Sequence, residues 1–497
     1  MLNPRTLTAG ARPRAEAVVR YWGRKSNRLA EFYISSYTKK NQVVADFFGG
    51  SGIFVKSALG LGRRAIYVDL NPFAHLIART TIVPCDVDKF VSASNTILMN
   101  STVRFKRRTK SKCESSKFFS IRCKCGNPVE VSSILYRRKY GRLSTDGTKL
   151  TGLELSVSRS IASRNGMTHE GLVSLHPELS TQILSRTINR LVKSGLVREK
   201  EFPASARFAS PCLRCGRTDT LLRRTENWLV GGHVKPAHWY PHDRLNYEDG
   251  TRFLKRRDVH DVSGLFSGRN LAALTSIWHE IGKLRLESSV KHCLELAFLA
   301  TLIRSSKMTR DEGGTWPVNS YWIPRTYLVK NPYIVFNNYV DRIASMLTRQ
   351  SKVKSGTPRD VIRGRAHVSL LLADAARVQL PKNSVDYVIV DPPHSDEAQF
   401  FELSLFYTAW LRKRLNFKQE LIINEKQGKD VETYLRMFRS ASKRVYESLK
   451  IGGHYTMILH SLDHEFLDSC ANAVKSAGFR PLEEDSIDDY TVYTFRK

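Results

Sequence analysis

Apolar residues gather in short runs near both ends of the chain and lose that rhythm in the middle. Residues 42–46 (QVVAD) read as a short buried strand, GGSG as a tight turn, and IFVKSALG as a helix with Ile53, Phe54, Ala58 and Leu59 facing inward. AIYVD, ending at Asp69, is a second apolar strand, so the pattern opens as the βαβ unit of a doubly wound sheet. Residues 101–260 are basic, broken and cysteine-bearing, with a helical stretch at about 151–200, and residues 261–360 suggest amphipathic helices around an aromatic loop. The α/β rhythm resumes near His367. HVSLLLAD and VDYVIVDPP are apolar runs that end in aspartate, as parallel strands with functional C-terminal ends do. A helix (about 430–449), a KIGG turn, the strand YTMILH, another helix and the strand TVYTF close the chain.

The expected fold is therefore α/β, one Rossmann-like sheet interrupted by a large insertion. Its segments are 1–100 (first half), 101–260 (insertion), 261–360 (helical region contributing to target recognition) and 361–497 (second half). Two independent domains are the alternative, although neither half has enough strands to close a sheet alone.

Composition sharpens this outline. The 497 residues are 41% hydrophobic, enough for a large core, and carry a formal charge of +32. Such a field draws a protein toward a polyanion, above all nucleic acid. No run approaches the roughly 18 apolar residues of a membrane span, and the N-terminal stretch lacks a secretion-type apolar segment. Four of the eight cysteines lie in close pairs, which suits a metal site in a reducing cytoplasm. The expected location is a prokaryotic cytoplasm, on the nucleoid.

Two strand ends carry candidate chemistry. Asp46-Phe47-Phe48-Gly49-Gly50-Ser51-Gly52 follows a strand and opens a helix, where glycines let the backbone approach a ligand. The loop lacks both the G-x-G-x-x-G spacing of dinucleotide sites and the Lys-Ser/Thr ending of phosphate loops. Asp69 ends the next strand, where a carboxylate can accept two ribose hydroxyls. Asp374 ends a later one, as an acceptor for a cofactor's adenine or as a helix cap.

Asp391-Pro392-Pro393-His394 is the most specific motif. An exocyclic base amine is a poor nucleophile because its lone pair is delocalised. The Asp391 carboxylate and the Pro392 carbonyl can accept its two hydrogens and favour a pyramidal nitrogen aimed at a methyl group. The prolines restrict the loop, and His394 offers a ring for stacking on a base extruded from its helix.

In the insertion, Cys123, Cys125, Cys212 and Cys215 could give a tetrahedral structural zinc four thiolates. The first pair is one residue short of knuckle spacing, which leaves Cys113 as a possible substitute. Between the pairs lies a winged helix-turn-helix rhythm, with Ile183, Leu184, Ile188, Leu191 and Val192 as the apolar face. Ser185, Arg186, Arg190 and Lys193 point away, toward DNA or simply into solvent. Trp316, Tyr321 and Trp322 fit either a base pocket or core packing, and Cys85, Cys293 and Cys470 fit buried thiols.

DFFGGSG together with DPPH resembles the amino-methyltransferases that modify adenine N6 or cytosine N4. The longer runs YWGRKSNRLAEFYISSYTKKNQVVADFFGGSG, DPPHSDEAQFFELSLFYTAWL, INEKQGKD and the HSLDHEF region resemble the zinc-ribbon-containing adenine-specific DNA methylases of bacteria and archaea, over most of the chain outside about 135–205. The resemblance implies a class I sheet, S-adenosylmethionine (SAM) as cofactor, double-stranded DNA as substrate, and Trp22, Arg24 and Lys25 beside the cofactor's methionine end. No nuclease motif is visible, so any restriction or phage-defence nuclease would be a separate partner. His394 stands where the family usually has tyrosine or phenylalanine, which implies weaker stacking and low or pH-dependent turnover. An RNA base methyltransferase and a catalytically silent DNA-binding subunit are the competing readings.

Overall fold

The computed structural model describes residues 19, 21–22, 26–104, 112–114, 119–142, 151–163, 167–194, 196–222, 234, 236–253, 259–310, 321, 323–350, 352–393, 398–487 and 489–497. Its centre is a seven-stranded sheet built from both ends of the chain. The strands are β1 (Val43–Asp46), β2 (Arg64–Asp69), β3 (Val368–Leu372), β4 (Val385–Val390), β5 (Leu449–Leu459), β6 (Arg480–Ile487) and β7 (Tyr490–Arg496). Their order is β3-β2-β1-β4-β5-β7-β6, parallel except where β7 pairs with β5 and β6. Val44 lies opposite Tyr387 and Ala45 opposite Val388, so β1 and β4 are direct neighbours. The two sequence halves make one sheet.

Alternation along the strands buries both faces. Ile66, Val68, Val388 and Val390 face a core shared with helices Val431–Ser448 and His464–Ser476. Ala65, Tyr67, Tyr387 and Ile389 face the opposite core, closed by helices Asn27–Tyr37 and Ile53–Gly60. On Ile53–Gly60 the buried residues are Phe54, Val55, Ser57 and Ala58, while Ile53 and Leu59 are only half-buried. The KIGG segment is not a separate turn; it lies within β5, beside a register shift against β4.

The 298 residues between β2 and β3 are not a detached module. Helices Gly268–Lys283, Ser288–Ser305 and Pro332–Leu347 share one continuous core with Phe73, Leu76 and Ile77 of helix Pro72–Ile82, which directly follows β2. The same core includes Phe119, Ile121 and Ile134 from the insertion's own sheet. In that sheet strand Pro128–Arg142 pairs on one side with Val197–Phe208 and on the other with Tyr327–Lys330. Helices Gly152–Ser163, His169–Leu175 and Thr181–Lys193 sit between Pro128–Arg142 and Val197–Phe208 in sequence, and they close a small core of their own around Leu184, Ile188 and Leu191.

Candidate active site

The C-terminal ends of β1, β2, β3 and β4 open into one cavity with an empty volume of about 1090 Å³. It is lined by Asp46, Phe47, Phe48, Gly49 and Gly50 after β1, by Asp69 at the end of β2, by Asp374 after β3, and by Asp391, Pro392 and Pro393 after β4. Trp22 is on the wall as well. Gly52 is not. It caps helix Ile53–Gly60 at φ 84°, and a Cβ there would press on Ala78 and Ile82, so its smallness serves packing. His394, Arg24, Lys25, Trp316 and Trp322 lie outside the described residues.

Backbone hydrogen bonds hold the glycine loop against β2. Gly49 N–H donates to the Val68 carbonyl at 2.9 Å, Gly50 N–H to Asp69 Oδ2 at 2.7 Å, and the Tyr67 hydroxyl to the Gly50 carbonyl at 2.7 Å. A Cβ on Gly49 would fall 2.2 Å from the fully buried Tyr67 ring, so this position admits only glycine.

The charged groups on the largely apolar wall are acidic. Asp46 is buried with Oδ1 accepting from Phe48 N–H at 3.0 Å; burial pushes its carboxyl well above the usual range, and the charges of Asp69 and Asp391 add to the rise. Burial also raises Asp69 to about 6, against the two backbone N–H groups of Asn71 and Gly50 that favour its charged form. Each Asp69 oxygen keeps a free lone pair for a further donor. Asp374 both lines the cavity and stabilises its own loop, since Oδ1 accepts from Ala376 N–H at 2.8 Å and Oδ2 lies 3.4 Å from Arg377 Nε.

Several wall residues carry no motif. Tyr21 stacks on Phe400 with ring centres 6.0 Å apart, and both line the cavity with Phe401, Glu420 and Met437. The buried Glu420 accepts from Phe401 N–H at 2.8 Å, and burial raises its carboxyl against the pull of Lys429. Asn71 Nδ2 donates to Ser404 Oγ at 2.6 Å and ties the β2 loop to helix Phe400–Thr408, which starts at the cavity. Below the Asp-Pro-Pro loop, the buried Tyr434 donates its hydroxyl to the Pro393 carbonyl at 2.8 Å.

Cys123, Cys125, Cys212 and Cys215 converge, all four sulfurs within 4.8 Å of one another. The cross-pair separations are 3.5 Å (Cys123–Cys215) and 3.6 Å (Cys125–Cys212), close to the edge of about 3.8 Å set by a tetrahedral zinc with thiolate bonds of about 2.3 Å. The short first pair still forms a knuckle, with Cys123 N–H bonded to the Asn127 carbonyl and Gly126 at φ 88°. Cys293 and Cys470 are buried, but Cys85 is only half-buried. Tyr321 belongs to the core, its hydroxyl donating to the Glu402 carbonyl and accepting from Phe406 N–H.

In the segment between the cysteine pairs, helix Thr181–Lys193 buries Leu184, Thr187, Ile188 and Leu191. Ile183 is 45% exposed and Val192 half-buried, so the apolar face is narrower than expected and Thr187 completes it. Arg186 and Lys193 are exposed. Arg190 is also exposed but lies 3.6 Å from Glu154.

Residues 11–80 match the family model described as DNA methylase. That segment holds the glycine loop and Asp69. No curated protein sequence matches the chain. Among solved structures, a provisionally named DNA modification methylase of Thermus thermophilus aligns at 14% identity over 29% of this chain and 51% of its own, with a TM-score of 0.16. The N-methyltransferase NodS of Bradyrhizobium japonicum, in complex with S-adenosyl-L-homocysteine, aligns at 13% identity over 32% of this chain and 61% of its own, with a TM-score of 0.17. The fibrillarin pre-rRNA processing protein of Methanococcus jannaschii aligns at 15% identity over 33% and 61%, TM-score 0.16. The chain thus spans about half the length of the Thermus protein.

Proposed function

We propose that the chain is a SAM-dependent DNA methyltransferase acting on the exocyclic amine of an extruded base, adenine N6 ahead of cytosine N4. One observation carries this reading. In a protein of net charge +32, the described residues lining the cavity include Asp46, Asp69, Asp374, Asp391 and Glu420 and no lysine or arginine. Such a wall offers phosphate no cationic partner and favours a ligand with ribose hydroxyls, an ammonium group and a base amine to donate. A sulfonium nucleoside with an ammonium group fits that donor set, whereas a dinucleotide or nucleoside triphosphate does not.

SAM, when bound, supplies an electrophilic methyl group. The protein's part is to bind and orient. Asp69 would take the ribose hydroxyls, Asp374 the cofactor's adenine amine, and the loop from Phe47 to Gly50 would let the backbone come close, with Trp22 flanking. Asp391 and the Pro392 carbonyl would accept the two hydrogens of the target amine and direct its lone pair into the cavity. Phe400 and Phe401 give the extruded base an apolar wall.

The four cysteines would hold a structural zinc that pins the base of the insertion's sheet. Arg186 and Lys193, with Arg190, would meet DNA phosphates. Such an enzyme would act on the nucleoid of a prokaryotic cell, and a restriction or defence nuclease would have to come from another chain. Transfer of tritiated methyl from SAM to duplex DNA, single strands and RNA tests the substrate class, with Asp391→Ala as control. Label in duplex DNA that disappears with Asp391→Ala supports the proposal. Label confined to RNA, or no label at all, refutes it.

A further inference from the structure

A second cavity has the opposite chemistry. Trp239, Trp278 and Trp410 line it, His238 stacks on His279 with ring centres 3.9 Å apart and planes 13° apart, and Lys291 and Arg412 bring cationic groups to it, while Lys283 is already paired with Glu280 at 2.8 Å. Its empty volume is about 960 Å³. Arg412 lies over the Trp239 ring at 4.0 Å, and it holds a left-handed backbone (φ 54°) that a non-glycine side chain seldom adopts. Trp410 is fully buried, and its indole N–H has no acceptor among the described residues. Glu295, half-buried on the same wall, is a side-chain acceptor.

Flat rings with cationic groups around them suit a flat, electron-rich and anionic ligand. We infer that this cavity is a stacking site for a nucleotide, its base against Trp239 and Trp278 and its phosphate against Lys291 and Arg412. The base amine edge would meet Glu295. Helix Phe400–Thr408 begins at the catalytic cavity and ends two residues before Trp410, a length of about 13 Å at about 1.5 Å per residue. That distance matches about four base-pair steps of duplex at about 3.4 Å each. A nucleotide of the DNA strand outside the catalytic cavity can therefore occupy the site, as can a free nucleotide. The strand assignment rests on DNA as the substrate; nucleotide binding itself does not.

Two probes separate the sources, both applied to the full chain. Free dAMP is titrated against tryptophan fluorescence, and a bromodeoxyuridine-substituted oligonucleotide is photo-crosslinked and the adducts mapped by mass spectrometry. The expected results are quenching by dAMP, adducts at Trp239 or Trp278, and about tenfold weaker binding in Trp239→Ala, whose side chain is partly exposed. Arg412→Gly, which suits the left-handed backbone, should also weaken binding while leaving the melting temperature unchanged or higher. Quenching alone identifies a free nucleotide as the ligand, and adducts alone identify the DNA strand. Absence of both, or unchanged affinity in both variants, overturns the inference. Adducts in a protein that transfers no methyl group would leave this site standing and sink the methyltransferase reading.

Discussion

The hydroxyl of Tyr434, on the helix behind β4, donates to the backbone carbonyl of Pro393 at 2.8 Å. It fixes the loop whose neighbouring carbonyl and carboxylate are proposed to grip the target amine. Tyr434 is fully buried, so its loss as a hydrogen bond leaves the ring's packing in place.

Tyr434→Phe should therefore keep the fold while loosening the loop. Pro393 is only half-buried, so leaving its carbonyl unpaired costs about 1 kcal/mol, and the melting temperature should fall modestly. Turnover should drop about tenfold or more with SAM affinity unchanged, since the cofactor's contacts are on other strands. Steady-state kinetics beside a binding isotherm check the split; a parallel loss of SAM affinity would show that Tyr434 supports the whole cavity instead.

Asp69 predicts a pH dependence. Its carboxyl is raised from the ordinary 3.8 to about 6 in the folded protein, so it holds its proton more tightly folded than unfolded. Its contribution to the stability of the cofactor-free fold declines as pH rises through that interval. Ribose hydroxyls need the carboxylate, so SAM affinity should rise as pH climbs through about 6 and level off above. Calorimetric titration on either side of that pH tests it, with Asp69→Asn expected to bind weakly and without the slope.

Most of the seven-stranded sheet was legible in the sequence because buried strands and their polar ends leave a strong pattern. Val43–Asp46, Arg64–Asp69 and Val385–Val390 are nearly all buried, and each is followed by residues on the cavity wall. Strand Arg480–Ile487 was not legible, because RPLEEDSI is an exposed, acidic edge strand with no apolar alternation. Tyr434 was invisible for another reason: its partner is a backbone carbonyl, and backbone groups leave no trace in residue identity. Ile183 carries an apolar side chain at helical spacing yet is exposed, because Thr187 fills that face. Glu420 and Tyr21 reach the cavity through loops whose paths only the tertiary fold sets.

If helix Thr181–Lys193 meets DNA as proposed, its arginines should count unequally. Arg190 lies near Glu154 and Arg186 does not share that ion pair, so Arg186→Ala should weaken DNA binding more than Arg190→Ala. Arg186→Ala combined with Lys193→Ala should lower the slope of log affinity against log salt by about two. A salt series by fluorescence anisotropy reads both, and an unchanged slope would detach this helix from DNA.

The cysteine cluster predicts about one zinc per chain in protein purified without chelator. Cys212→Ser should lose that metal and lower the melting temperature, as should chelation of the wild type. Total metal analysis with thermal melts decides it. Metal-free protein that melts unchanged in chelator would contradict a structural ion.

The most direct measurement is mass spectrometry of nucleosides from duplex DNA incubated with the protein and SAM carrying a deuterated methyl group. Labelled N6-methyldeoxyadenosine is expected with the wild-type chain and none with Asp391→Ala, although both bind SAM equally. SAM-bound wild type that labels no base amine, or Asp391→Ala that labels as well as wild type, would contradict it.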